Sequence, residues 1–170
     1  MILALIVSLS ACGITTGRVA GTTLISDRYD FRLDLPVGDF EAKHARDIPL
    51  ILFNPETGAT ITVTVSEDRY HLEKGKEIGL RYVARGLFLY VKEKKYLKSY
   101  AATLGGIDAW YLELSGKMSD VSLIFSVYVV RHDKKIYEIT LFTPPGDFEK
   151  SYETFNKIVM SFKFTDGRGK

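Results

Sequence analysis

The side chains that could do chemistry in this chain of 170 residues are few and lie far apart. Cys12 has no second cysteine for a disulfide, a cysteine-based zinc site or a C-x-x-C redox centre. His44, His71 and His132 stand in separate segments, without the close histidine spacing that zinc sites normally have. Nucleophile motifs such as G-x-S-x-G and phosphate-binding glycine loops are also missing. We therefore predict no catalytic residues, no metal site and no cofactor, and a protein that is not an enzyme.

The position of Cys12 points to a different chemistry. It follows the uncharged, apolar residues 1–11, "MILALIVSLSA". Eleven helical residues reach about 17 Å, too short for about 30 Å of hydrocarbon but long enough for the core of a signal peptide. The stretch "LSAC" resembles the lipobox of bacterial lipoproteins. That resemblance implies that the Cys12 sulfur accepts a diacylglycerol, that residues 1–11 are removed, and that the new amino group is acylated as well.

A lipidated Cys12 would place the protein on the periplasmic side of a bacterial cell envelope, held to the membrane by its acyl chains. Gly13 follows the cysteine where Asp would signal retention at the inner membrane, so the outer membrane is favoured. The basic residue that usually precedes the apolar core is missing, which leaves open a start codon upstream of Met1. The alternatives are a secretory signal with an incidental cysteine, or a buried N-terminal strand.

Composition indicates a single globular domain. Apolar residues make up 46% of the chain, enough for a sizeable core, and the net charge of +2 is too small to indicate a nucleic-acid partner. The glycine- and threonine-rich segment after the cysteine predicts a flexible tether over residues 12–27. The domain is then expected over residues 28–165, with a tail at 166–170.

Hydrophobic periodicity predicts an α+β fold. Alternating segments such as "YDFRLDLP" and "ATITVTVSE" predict strands. The Pro/Gly turn "NPETG" between "IPLILFN" and "ATITVTVSE" indicates that these two strands form an antiparallel hairpin. Residues 73–92 change to a helical period, and four further strands follow. A last helix is expected from Asp147, with an apolar stripe of Phe148, Tyr152, Phe155, Val159 and Phe162. The stripe is most simply core, although it could line a ligand pocket.

Four basic residues on the first predicted helix form a possible docking site. Lys74, Arg81, Arg85 and Lys92 are spaced 7, 4 and 7 apart, so they would lie within about 40° of each other, opposite the apolar face. Lys94, Lys95 and Lys98 follow directly. Such a stripe could bind anionic headgroups or an acidic protein partner, or it could be a solvated face.

The order of elements resembles the PsbP-like group, which includes bacterial lipoproteins of the DcrB type. The resemblance covers about residues 28–164 and lies in "FRLDLP", "ATITVTV", the mid-chain helix, "GGIDAWYLEL", the long hairpin and "FNKIVMSFKF". It implies an antiparallel sheet flanked by helices, an α/β/α sandwich. Members are mostly accessory or binding proteins without known catalysis, so the resemblance carries over no catalytic residue and no metal ligand.

These observations favour a non-enzymatic, lipid-anchored envelope protein that acts through protein–protein contacts with an unidentified envelope partner. Its contact site would be the basic helix face or a sheet edge. The alternative is a lipid-anchored carrier or sensor of a small apolar ligand, bound between the C-terminal helix and the sheet. A hydrolase with a dispersed site is a third hypothesis. The oligomeric state is left open.

Overall fold

The structure is a computed structural model that describes residues 18–20, 22–36, 38–45, 47–69 and 78–165. The signal segment, Cys12, Gly13, His71, Lys74 and the tail at 166–170 lie outside the described residues, so the predictions made for them stay predictions.

Two antiparallel sheets form the framework of the described chain. The smaller has the order β1-β2-β3-β11, with β1 at Arg18–Ala20, β2 at Thr23–Ser26, β3 at Phe31–Asp34 and β11 at Lys163–Phe164. The larger has seven strands in the order β4-β5-β6-β10-β9-β8-β7. Its strands are β4 (Glu41–Ala45), β5 (Ile48–Phe53), β6 (Thr60–Glu67), β7 (Lys92–Leu104), β8 (Ile107–Met118), β9 (Val121–His132) and β10 (Lys135–Thr143).

Two helices cover opposite faces of the seven-stranded sheet. Helix α1 is Leu80–Gly86, and helix α2 is Phe148–Ser161 after a 3-10 turn at Pro145–Asp147. Successive side chains of a strand point to opposite faces, so β8, β9 and β10 supply two separate cores. The α1 side buries Leu112, Leu114, Phe125, Val127 and Val129 against Val83 and Phe88. The α2 side buries Tyr111, Tyr128 and Ile139 against Phe155 and Phe162. The α+β prediction, with one antiparallel sheet between helices, is confirmed.

The chain before residue 28 differs from the predicted tether. Residues 23–26 pair with β3, and residues 18–20 pair with β2. Leu24 is only 6% exposed and belongs to the α2-side core. The tether prediction over 12–27 is therefore wrong for residues 18–20 and 22–26. These residues form successive hairpins with β3, and Leu24 is buried among core residues that lie far along the chain, which the weak local pattern does not reveal. The folded domain includes residue 18, not only residues from 28 onwards.

Helix α1 is much shorter than the helix predicted over residues 73–92. It ends at Gly86, turns follow, and Lys92 already begins β7. The chain turns there because Phe88 and Val91 both enter the α1-side core, and the Val91 N–H donates to the Phe88 carbonyl. Lys94 Nζ donates to the carbonyls of Phe88 and Leu89 and closes the turn. Burial of two side chains after the helix thus outweighs the helical period of the sequence.

The C-terminal helix follows the prediction closely. It begins directly after Asp147, although no hydrogen bond from the Asp147 side chain caps it. Phe148, Phe155, Val159 and Phe162 are buried and Tyr152 is half-buried, so the apolar stripe faces the sheet. Gly105 and Gly106 form the turn between β7 and β8, and both have positive φ, 60° and 83°, as tight hairpin turns require.

Gly116 lies where two parts of the chain come closest, and it gives a test of this packing. A Cβ added there would lie 2.4 Å from Val91 Cγ1 and 2.8 Å from the Lys92 carbonyl oxygen. We expect Gly116→Ala to lower the free energy of unfolding by about 1–3 kcal/mol, measured by urea denaturation. Gly86→Ala is the matched control, because nothing lies within 4 Å of its added Cβ at the end of α1. It should stabilise by about 0.5–1 kcal/mol, and equal effects of both changes would contradict this packing.

Candidate docking surface on α1 and β7

Strand β7 is the edge of the larger sheet and is unusually exposed. It has 13 residues, and residues 92–101 are all exposed. In the described parts of the chain, no strand pairs with its outer side. Natural proteins usually shorten, cover or charge such edges, because an open edge can pair with another chain. A long open edge therefore indicates a contact site for another chain.

Exposed apolar side chains gather at the same place. The described residues include eight large hydrophobic side chains that are exposed, and six of them lie between residues 82 and 100. These six are Tyr82, Leu89, Tyr90, Tyr96, Leu97 and Tyr100. Single exposed apolar residues are normal on a protein surface, whereas a concentration of them marks a contact site.

The same segment holds most of the excess positive charge. Residues 81–100 contain six basic side chains and one acidic one, a net charge of +5. The rest of the chain has 17 basic and 20 acidic side chains, a net charge of −3. We use the name basic–aromatic surface for Arg81, Tyr82, Arg85, Leu89, Tyr90, Lys92, Lys95 and Tyr96, which are exposed except for the half-buried Arg85. Lys92 and Lys95 lie opposite Lys117 and Ser115 of β8, so they project on the α2 side of the edge strand, whereas Tyr96 lies opposite Leu114 and projects on the α1 side. The surface thus lies at the rim of the sheet, where α1 meets β7.

The structure brings together only part of the predicted basic stripe. Arg81 and Arg85 lie on α1, about 40° apart and opposite the buried Val83. Lys92 is not on the helix but is the first residue of β7. The prediction of a single stripe on one helix is therefore wrong for Lys92, because the chain has already entered the sheet at that residue. Arg81, Arg85 and Lys92 all remain in the basic–aromatic surface.

The basic side chains of this segment fall into two groups. Lys94 closes the turn after α1, and Lys98 Nζ donates to Glu113 Oε2 at 3.2 Å. In contrast, Arg81, Lys92 and Lys95 form no ion pair and no side-chain hydrogen bond within the described chain. Three cations of the surface are therefore available to an anionic ligand.

Arg85 is held in place by an aromatic ring. Its Cζ lies 5.0 Å from the centroid of the Tyr96 ring, a cation–π contact between α1 and β7. The Nε atom is buried and has no acceptor among the described residues. The contact orients the guanidinium group against β7 and joins the helix to the edge strand.

A buried carboxylate joins β7 to β8 on the other face of the sheet. Glu113 is 3% exposed, and the Tyr111 hydroxyl donates to its Oε2 at 2.6 Å. Burial, and then the bond to Glu113, raise the pKa of Tyr111 far above its usual range, so the phenol stays a donor. With the bond from Lys98, the carboxylate has two partners, and its role is to hold the edge strand in register.

The aromatic stripe on α2 is part of the core. The rings of Phe31 and Phe162 stack with centroids 5.4 Å apart, and Phe155 lies 6.0 Å from the Tyr128 ring. Tyr152 contacts Phe155 in turn, at 5.8 Å. The side chains that a ligand between α2 and the sheet would need are therefore packed against each other and against the sheet.

The described residues do not bring potential metal ligands together. They contain no group of three or more His, Cys, Asp and Glu side chains that could hold a metal ion. The ring of His132 packs against Phe164, with centroids 4.1 Å apart, at the end of β9. No helix in the described part of the chain is long and apolar enough to cross a membrane.

Sequence reasoning found the lysines of the surface but missed its tyrosines. Tyr82, Tyr90, Tyr96 and Tyr100 are interleaved with the basic residues along the sequence. This interleaving of aromatic and basic residues is the sequence feature that could have indicated the tyrosines of the surface. Periodicity placed only Tyr90 of these four on the apolar face of the longer predicted helix, and the shorter α1 leaves it exposed.

Comparison with known proteins rests on structure alone. No protein-family model and no curated protein sequence matches the chain. The cyanobacterial PsbP protein, CyanoP, of Synechocystis is similar with a TM-score of 0.63 and 12% identity, over 92% of this chain and 97% of CyanoP. LpqN of Mycobacterium tuberculosis has a TM-score of 0.58 and 18% identity, over 80% and 84% of the two chains. The Ran-binding protein Mog1p of Saccharomyces cerevisiae has a TM-score of 0.56 and 10% identity, over 81% and 91%.

These similarities extend over most of the chain and of each compared protein. The chain therefore has a PsbP-like fold, as the resemblance in its sequence implied. At these low identities the likeness defines the fold, and function has to be argued from the surface.

Glu138 lies on the α1 side of β10, close enough to influence Tyr90 of the basic–aromatic surface. Burial, and then the charge of Glu138, raise the pKa of Tyr90. Burial also raises the pKa of Glu138 itself, partly offset by a hydrogen bond from the Thr64 hydroxyl at 2.9 Å. The folded protein thus favours the neutral carboxyl. This contribution to stability is fully present below the carboxyl pKa of the unfolded chain and is lost as the pH rises through the raised pKa.

We therefore expect Glu138→Gln to be more stable than the wild type at pH 7, by on the order of 1 kcal/mol, and equally stable near pH 4. Thermal unfolding across this pH range measures the difference. Glu153→Gln, an exposed position on α2, is the control and should behave as the wild type at both pH values. A loss of stability in Glu138→Gln at pH 7 would show that the ionised carboxylate is stabilising.

Proposed function

We propose that the chain is a non-enzymatic, lipid-anchored binding module of a bacterial cell envelope that acts through contact with another envelope protein. Its anchor is the lipidated Cys12, and it lies on the periplasmic side, at the outer membrane in preference to the inner. The observation that carries the binding role is the open edge of β7.

The C-terminal half of β7 is suited to pairing with another chain. Residues 98–104 run in unbroken register with β8, from Lys98 opposite Glu113 to Leu104 opposite Ile107. Their outward backbone N–H and C=O groups meet no strand in the described chain. An extended segment of a partner can add to such an edge, with backbone hydrogen bonds giving affinity and side chains giving specificity.

The N-terminal half of β7 is protected against the same kind of pairing. The register shifts between Lys92 and Lys95 and again between Tyr96 and Lys98, and Glu93 has a φ of 52°. Bulges of this kind bend a strand and interrupt its ladder. Pairing with a partner strand is therefore confined to residues 98–104.

The compared proteins support a binding role. LpqN is involved in cell envelope biogenesis, and Mog1p is a Ran-binding protein. The same fold thus occurs in a protein of the envelope and in one that binds another protein. The lipobox-like "LSAC" adds the anchor. We keep Lys74, Arg81, Arg85 and Lys92 as proposed docking residues for a partner or for headgroups.

The anchor predicts a mass and a location. Expressed in a bacterium, the wild type should have the mass of a chain that begins at Cys12 and carries acyl groups, and it should sediment with membranes. Cys12→Ala should lose the acyl mass and the firm membrane association, because two or more acyl chains are needed for stable anchoring. Ser10→Thr is a control that leaves the thiol in place. An unmodified wild-type chain in the soluble fraction would contradict the anchor.

The edge predicts different outcomes for two neighbouring proline substitutions. Successive N–H groups of an antiparallel strand point to opposite sides, so Ala101→Pro and Ala102→Pro remove donors on different sides of β7. One variant should lose a bond to β8 and about 1–3 kcal/mol of stability, because a β8 carbonyl loses its donor. The other removes only an outward donor and should stay close to wild-type stability while losing the partner.

Binding is measured in cells with a photo-crosslinking residue at the exposed Thr103, and stability by thermal unfolding. The same crosslinking residue at Lys157 on α2 should give no adduct of that mass. A stable proline variant that keeps the Thr103 crosslink would contradict pairing at this edge.

A further inference from the structure

We propose that the basic–aromatic surface docks the domain on an anionic phospholipid surface. This inference rests on the docking role proposed for Arg81, Arg85 and Lys92 and assigns it to headgroups. It is separate from the acyl anchor and from the partner edge at residues 98–104. It would orient the tethered domain rather than hold it to the membrane.

Charge complementarity is the first argument. The net charge of +5 over residues 81–100 contrasts with −3 for the rest of the chain, so the positive charge is concentrated in one segment. Near an anionic leaflet each basic residue strengthens binding by about fivefold, and the effect acts within about 10 Å at moderate salt. Arg81, Lys92 and Lys95 are not engaged by the described chain, so headgroups do not have to displace an existing ion pair.

The apolar part of the surface is the second argument. Leu89 is 77% exposed, Tyr82 is 67% exposed and Tyr90 is 61% exposed, all on α1 or the turn after it. Tyrosine is favoured at the level of the headgroups, where its ring is apolar and its hydroxyl is wet. Basic residues beside exposed aromatic and aliphatic ones form the pattern by which proteins bind in the membrane interface.

Helix α2 lacks this combination. On α2 the exposed side chains alternate in charge, with Glu149, Lys150, Glu153 and Lys157. Met160 is the one large hydrophobic side chain of α2 that is exposed. The outer side of α2 thus differs from the rim formed by α1, the turn after it and β7, where basic and apolar side chains occur together.

The test is co-sedimentation of the full, unacylated chain with vesicles of phosphatidylcholine alone or of equal parts phosphatidylcholine and phosphatidylglycerol. The apolar residues 1–11 contribute equally to both vesicles and to every variant, so docking is read from the difference between the two. Wild type should bind the phosphatidylglycerol vesicles at least tenfold more tightly. The preference should vanish near 1 M salt, where the screening length is about 3 Å.

Two double variants with the same change in net charge show which part of the surface is responsible for the preference for phosphatidylglycerol. Arg81→Glu with Lys95→Glu should abolish the preference for phosphatidylglycerol. Lys157→Glu with Lys163→Glu, exposed positions on α2 and β11, should keep most of it. Leu89→Ser should weaken binding severalfold without changing the charge, and thermal unfolding checks that each variant is folded.

Equal binding of the wild type to both vesicles would overturn the proposal and leave the surface to an acidic protein partner. An equal loss in both double variants would also overturn it, because the attraction would then depend on net charge alone. The vesicle assay needs neither acylation nor a partner. A negative result would therefore contradict headgroup docking without contradicting the lipid anchor or the edge contact, and a failure of either of those would leave headgroup docking untouched.

Discussion

The fold depends on the burial of both faces of β8, β9 and β10. Residues 125–130 of β9 are all buried, so neither face of the central sheet can be left to solvent. Helix α2 and the small sheet cover one face, and α1 with its following turn covers the other. Burial of apolar surface stabilises the fold by about 25 cal/mol per Å², so both faces of the sheet must be covered. This tertiary burial explains why α1 is ordered although a helix of seven residues would not be stable alone.

The location of the candidate surface follows from this arrangement. The α1 layer is narrow, and it ends beside the edge strand instead of covering it. Arg85 and Tyr96 meet at that border, while Glu113 fixes β7 from the opposite face. The edge strand is therefore rigidly held and yet open to solvent. A rigid, exposed element is a suitable platform for binding, because little order has to be gained when a ligand arrives.

Features set by local pattern could be predicted from the sequence, whereas features set by distant contacts could not. The alternation in "ATITVTVSE", the Gly105–Gly106 turn and the stripe of α2 all act within a few residues. Strands β1, β2 and β3 pair as successive hairpins, but their place in the fold depends on the burial of Leu24 in the α2-side core, whose other residues lie mostly far along the chain. The end of α1 depends on Phe88 and Val91 entering the core. The exposure of Tyr90 follows from that early turn, so its place in the surface could not be predicted.

The most direct test of the central claim is amide hydrogen exchange of the full chain with phosphatidylglycerol vesicles and without them. Exchange resolves which face of the sheet meets the membrane. The account predicts slower exchange over residues 80–98 on addition of vesicles, with α2 unchanged. Slower exchange over α2, or no local change despite binding, would contradict the claim that the basic–aromatic surface is the face that docks.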